Sequence, residues 1–193
     1  EYIPEIASNT AIDTELNNLI ARIEKGIANY LGYPFNEAIL SPTLESTTYT
    51  FYIDAPIYND VYTLQLPISP VTAIASIHSD ANRKYDSSTL IDASTYELDQ
   101  KYGRVILKPN EVTKYFSNGY RSNKVVCTAG FVSAPADLEH AICILASMAQ
   151  RNKTNQGKES ITSRNGSIRL TPKNMPLEVK EYLWPYRSPN AIL

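Results

Sequence analysis

Residues 124–149 read KVVCTAGFVSAPADLEHAICILASMA, and the fold turns on the change of period inside them. Residues 124–128 are a short run of strand type, rich in β-branched side chains. Past Gly130 and Pro135 the spacing becomes helical, with Leu138, Ala141, Ile142, Leu145, Ala146 and Ala149 recurring at i, i+3 and i+4. Ser133 and Pro135 suit the helix start. Asp137 and Glu139 near that end, with Arg151 and Lys153 near the other, suit the helix dipole. Cys143, Ile144 and Met148 make the opposite side apolar too, which predicts a central helix covered on several faces.

Working outward, this helix needs neighbours. Upstream, Ile12, Leu16, Leu19, Ile20, Ile23, Ile27, Tyr30 and Leu31 predict a helix over residues 11–31. Thr10 and Asp13 suggest a capping box at its start, and Gly32 and Pro34 a stop. Downstream, a short helix over 176–183 begins at Pro176 and ends before Pro185. Between the first two helices the period is 2. Strands are predicted over 47–54, 61–66, 71–78, 95–98, 104–107 and 124–128, with Pro67, Pro70 and Pro109 at their ends. The fold class that follows is α+β. A helical bundle (N-terminal helix, long central helix, short C-terminal helix) carries an inserted, small, mostly antiparallel β-module. The helical core takes residues 1–46 and 131–193, and the inserted module takes 47–130.

The composition agrees with a folded domain. The 193 residues are 43% hydrophobic with only 7 Gly, outside the range of disordered or collagen-like chains. No run approaches the 18 or so apolar residues of a membrane helix. Residues 1–20 show neither the basic start nor the apolar stretch of a signal peptide. The net charge of -2 argues against gripping nucleic acid by overall charge. Two cysteines, Cys127 and Cys143, form no metal-type cluster and suit a reducing compartment as packed apolar thiols. Tyrosine supplies 14 aromatic side chains against 4 Phe and 1 Trp, a bias that suits half-buried surfaces and subunit contacts.

Residues 159–171, ESITSRNGSIRLT, place Asn165-Gly166 between two alternating flanks. Asn-Gly is a preferred two-residue hairpin loop because both positions take positive φ. That loop pairs Ser163 with Ile168 and Ile161 with Leu170. An isolated hairpin is marginal in water, so its apolar face needs cover, from the chain's own core or from another subunit or protein. Residues 151–173 also hold six basic side chains against one acid. Such an arm on an acidic body suits an acidic partner surface or phosphates, or is simply solvated.

Reactive constellations are missing. Gly157-Lys158 fails the P-loop pattern at both ends, and no GxGxxG, HExxH or GxSxG occurs. His78 and His140 stand 62 positions apart with no ligand-type neighbours. Glu97 and Asp99 would share one side of a strand, a common solvent-face arrangement, and Cys127 has no basic partner nearby in sequence. The residues point to no catalytic, cofactor or metal site.

Four segments carry a resemblance. They are residues 66–74 (LPISPVTAI), 96–99 leading to 103–106 (YELD, GRVI), 125–142 with its Ala129-Gly130-Phe131 and Pro135-Ala136-Asp137-Leu138, and 175–187 (MPLEVKEYLWPYR). In this order they resemble the head-tail connector, or adaptor, proteins of tailed bacteriophages and gene transfer agents. The long 152–175 segment departs from that pattern.

What the resemblance implies is a structural virion protein of the neck, made in the host cytoplasm. Its partners are the portal protein, the next neck or tail-completion protein, and copies of itself in a ring, usually twelve-fold. Double-stranded DNA passes through the channel without sequence-specific binding, and no membrane is involved. Contacts are expected at the hairpin (Ile161, Arg164, Ile168, Arg169, Leu170) and the tail (Trp184, Tyr186, Arg187, Ile192, Leu193), where apolar side chains stand beside basic ones. A chain cut after Tyr182 is expected to keep its modules folded. The alternatives are another virion part, such as a stopper or tail-completion protein, or a carbohydrate-binding module or hydrolase using Tyr49, Tyr52 and Tyr62 as stacking platforms.

Overall fold

The computed structural model describes residues 10–57, 60–108, 115–151, 160–163, 166–169 and 175–188. The chain is mixed α+β, as the two periods predict. It divides into two compact units, Glu1–Ile27 with Pro135–Pro185, and Ala28–Ala134 with Tyr186–Leu193.

The second unit is built on two three-stranded antiparallel sheets. In the first, β1 (Thr47–Ala55), β3 (Val71–Ser79) and β6 (Gly119–Ala129) run in the order β1-β6-β3. The alternation of β6 decides its faces. Val125, Cys127 and Ala129 are fully buried, while Lys124, Val126 and Thr128 are half-buried on the other side. Phe51 and Ile77 flank Val125 in register, and Tyr52 and His78 flank Lys124. The second sheet orders β2 (Thr63–Gln65), β5 (Arg104–Leu107) and β4 (Tyr96–Asp99) as β2-β5-β4, with Leu64 opposite Val105 and Val105 opposite Leu98. Gly103 turns the chain between β4 and β5 at φ +60, where a Cβ would stand 2.3 Å from the Ile68 carbonyl oxygen, so no other residue fits. Around these sheets Leu66, Ile68, Val71 and Phe116 are wholly excluded from water. Each such side chain contributes about 1.5–3 kcal/mol of transfer free energy.

Strand β6 begins five residues before the expected 124–128. Residues 119–123 are polar, so no hydrophobic alternation marks them. They are held instead by a buried polar network. Asn123 Nδ2 and Ser122 Oγ both donate to the Ser117 carbonyl, at 2.9 and 2.6 Å, and Ser79 Oγ donates to Asn123 Oδ1 at 2.8 Å. Such groups tolerate burial because their hydrogen bonds are made inside the protein.

In the first unit, α1 (Thr10–Tyr30) matches the expected helix. The expected Thr10–Asp13 capping box involves a side chain that lies outside the described residues. The helix ends at Gly32, φ +75, with the Tyr33 N–H closing onto Ala28 O at 2.9 Å. Helix α2 (Ala136–Arg151) packs against α3 (Leu177–Leu183), burying Leu138, Ala141, Ile142 and Ala146 with Val179 and Leu183. The structure does not support the bundle around a fully covered central helix. Cys143 and Met148 are exposed, Ile144 and Leu145 are half-buried, and α1 makes no comparable packing with α2 or α3 among the described residues. Apolar content all round a helix measures its capacity for neighbours, and among the described residues α3 covers one side of α2.

The hairpin pairs β7 (Ser160–Ser163) with β8 (Gly166–Arg169). Its register sets Ser163 opposite Gly166 and Ile161 opposite Ile168, rather than Ser163 opposite Ile168. The strands therefore close one position earlier than the Asn-Gly pair would set, and residues 164–165 lie outside the described residues. This register places one β-branched residue directly across from another, the arrangement that cross-strand pairing favours.

Candidate interaction surfaces

The groups capable of chemistry are dispersed. No set of three His, Cys, Asp or Glu side chains converges as a metal site among the described residues. Cys127 is buried and reduced, and desolvation pushes its thiol up to about 12, so it is inert at neutral pH. Cys143 is exposed rather than packed. His78 lies next to the end of β3 with Nδ1 at 3.1 Å from Asp86 O, and His140 sits edge-on to the Tyr182 ring. Glu97 forms an ion pair with Lys108 at 3.4 Å, and Asp99 accepts from the Tyr102 N–H at 3.4 Å. Each carboxylate is thus accounted for separately. Tyr49 is buried, which removes it as a stacking platform, whereas Tyr52 and Tyr62 are exposed.

The expected contact residues fall in three groups. Ile161, Ile168 and Arg169 lie on the hairpin strands. Arg164, Leu170, Ile192 and Leu193 lie outside the described residues. Trp184 is 66% exposed, at the start of the 3-10 turn Trp184–Tyr186. Tyr186 sits edge-on to Phe131 at 5.6 Å, and the Arg187 guanidinium lies 5.3 Å from the Tyr30 ring centre. Ser188 then ties the chain down. Its N–H donates to Leu31 O at 2.8 Å and its hydroxyl to Pro67 O at 2.7 Å. A cut after Tyr182 would remove the buried Leu183 and this anchor.

Two exposed surfaces went unnoticed in the sequence. The first is the loop after α1. Asn36 is buried and templates it: its Oδ1 accepts the N–H groups of Ala38 and Ile39 at 2.9 and 3.3 Å, and its Nδ2 donates to Thr48 O at 3.0 Å. The loop so fixed presents Phe35, Ile39 and Leu40 to solvent, with Leu40 at φ +52. A non-glycine residue there costs on the order of 1 kcal/mol or more.

The second surface lies at the end of the first sheet. Between Ile53 and Ala55 the β1–β6 register shifts, because the three residues 120–122 stand opposite the single residue Asp54. Arg121 takes φ +51 at the crest. Its N–H donates to Asp54 Oδ1 at 2.7 Å, and the Tyr85 hydroxyl donates to its carbonyl. Its guanidinium stacks 4.2 Å from the Tyr52 ring centre, Tyr52 and Tyr85 stand 5.6 Å apart, and Lys124 Nζ lies 5.8 Å from Tyr85. The adjoining turn is fixed by Asp80, whose carboxylate accepts the N–H groups of Asn82, Lys84 and Tyr85. Those bonds, the one from Asn82 foremost, hold its pKa below the usual carboxyl value. Arg83 and Tyr85 in this turn also have positive φ. The tyrosines and cations come from three segments far apart in sequence, so no local motif announces them.

No protein-family model matches this chain, and no curated protein matches it. Two solved structures share its fold. One is described as the neck of a native gene transfer agent particle computed with C12 symmetry. It is 19% identical over 90% of this chain and 82% of that one, with a TM-score of 0.55. The other is described as the virion of a native gene transfer agent particle. It is 18% identical over 97% of this chain and 82% of that one, with a TM-score of 0.54.

Proposed function

We propose that this chain is a structural virion protein of the neck, acting as a head-tail adaptor. The observation that carries the reading is the shared fold, over nine-tenths of the chain, with a component of a twelve-fold-symmetric particle neck. Copies form a ring between the portal and the next neck or tail component, and packaged DNA passes through it. The work is done by shape, without catalysis. A ring needs two unlike faces on each copy, meeting head to tail and closing by rotation. The dispersed titratable groups and the exposed apolar and aromatic surfaces suit such a part. The hairpin and the tail, with Ile161, Ile168, Trp184 and Arg187 among their residues, serve as contacts to the neighbours. The mildly acidic body lets DNA slide rather than holding its phosphates.

Electron microscopy of the protein alone and with portal is the direct test. Rings seated on the portal are expected. A chain absent from purified particles, or one that turns over a substrate, removes this reading. Replacing acidic residues of the channel wall with lysine is expected to slow DNA passage; unchanged ejection rates would remove the sliding role.

A further inference from the structure

Surface charge divides this chain unevenly. Of its 18 basic side chains, six lie in residues 151–173, two (Arg121 and Lys124) lie against the Tyr52–Tyr85 pair, and two more (Arg83 and Lys84) directly precede Tyr85 in the chain. With Asp54, Asp80 and Asp86 counted beside those four and Glu159 beside the six, the remaining eight basic residues face sixteen acids. The Tyr52–Tyr85 platform is thus an aromatic patch with a small positive balance, four basic residues to three acids, on an acidic chain. None of its four cations is ion-paired among the described residues. Its backbone is held by Asp54, Asp80 and Tyr85, so little ordering remains to be lost on binding.

The same chain carries a surface of opposite character. Val179 and Leu183 bury one side of α3. Leu177, Glu181 and Trp184 line the other at spacings of four and three, with Glu178 on one flank and the half-buried Lys180 on the other, so the stripe keeps one net negative charge. Leu177 is 72% exposed, and both glutamates are exposed. From Leu177 to Trp184 the stripe is about 10 Å long at 1.5 Å per residue. It offers two carboxylates between two apolar side chains, and the platform offers two cations beside two rings.

We infer that the α3 stripe of one copy docks on the Tyr52–Tyr85 platform of the next. Glu178 and Glu181 meet Arg121 and Lys124, while Leu177 and Trp184 cover the tyrosine rings. The two patches differ, so the contact is head-to-tail and repeats from copy to copy. This inference rests on the ring reading and names the surfaces that build the ring. A second copy suits the platform better than a nucleic-acid backbone, because phosphates would leave the exposed ring of Tyr52 uncovered. A duplex would also meet the acidic remainder of the chain.

Charge reversal tests it on the full chain. Arg121→Glu with Lys124→Glu is one variant, and Glu178→Lys with Glu181→Lys is the other. Association is read by light-scattering mass across rising concentration and by electron microscopy of particles assembled with each variant. Each variant alone is expected to associate at least about tenfold more weakly than the parent. An equal mixture of the two is expected to recover association, because reversed platform then meets reversed stripe; recovery also shows that both variants are folded. A parent ring indifferent to both reversals, or a mixture that does not recover, overturns the contact and leaves the ring reading standing. A parent chain that stays single in solution and in particles overturns the ring reading and the contact together. Loss of duplex DNA retention in the platform variant, with rings intact, assigns the platform to phosphates and overturns the contact.

Discussion

The sheets and the helices of this protein treat the same kinds of side chain differently. In β6, Val125, Cys127 and Ala129 are wholly buried, and Phe116, Leu64 and Ile77 close the core around them. Along α1, Leu16 is 42% exposed, and Leu19, Ile20 and Ile23 are only half-buried. On α2, Cys143 and Met148 face solvent. One region consumes its apolar content within the chain. The other carries apolar side chains that stay partly open to solvent among the described residues.

The two thiols give the sharpest measure of that contrast. Cys143 is expected to react with a thiol reagent at the rate of an open cysteine, and Cys127 more than about 1,000-fold more slowly, because its labelling requires opening of the sheet core. Timed mass spectrometry reads both; comparable rates would mean that the core is not closed. Next comes a pair of truncations. Phe116→Ala is expected to cost about 3–5 kcal/mol in denaturant unfolding, and Leu16→Ala under about 1 kcal/mol in the isolated chain. Equal losses would erase the distinction between the regions.

Gly130→Ala is expected to cost about 2–4 kcal/mol. At φ +105 its Cβ would stand 2.4 Å from the Glu45 carbonyl oxygen, between segments that both belong to the sheet unit. Asn36→Ala is expected to cost about 1–3 kcal/mol, since the Ala38 and Ile39 N–H groups lose their acceptor. A loss confined to the loop, read by amide exchange at those two positions, would show that the loop orders independently of the sheets.

The smallest effect is a pH dependence at the Asp80 turn. Its folded-state pKa is depressed, so its contribution is complete above the ordinary carboxyl value near 3.8 and is lost as pH falls through the folded value below that. Asp80→Asn is expected to flatten the stability curve in that acid window. An unchanged curve would mean that the turn is held by its neighbours alone.

Much of the fold was legible because it is written in local period. The 3.6-residue recurrence of Ile20, Ile23 and Ile27 and the alternation of Val105 and Leu107 fall where the elements form. The start of β6 was not legible, because Ser122 and Asn123 are stabilised by hydrogen bonds to Ser117 and Ser79 that no hydropathy pattern carries. The hairpin was legible as an element but slipped in register, since the loop that the chain adopts is set by strand pairing as well as by turn chemistry. Trp184, singled out in the sequence beside Pro185, is exposed in the structure, whereas the Tyr52–Tyr85–Arg121 cluster was not legible.

By itself the sequence determined the element types, their order and the apolar faces, because period and turn residues act within a few positions of one another. Tertiary structure alone decided which apolar faces are covered, that Ser188 anchors on Leu31 and Pro67, and that Arg121 lies over Tyr52. Those outcomes depend on segments tens of residues apart reaching the same place. Their meeting is fixed by the summed burial and hydrogen bonding of the whole unit rather than by any local pattern.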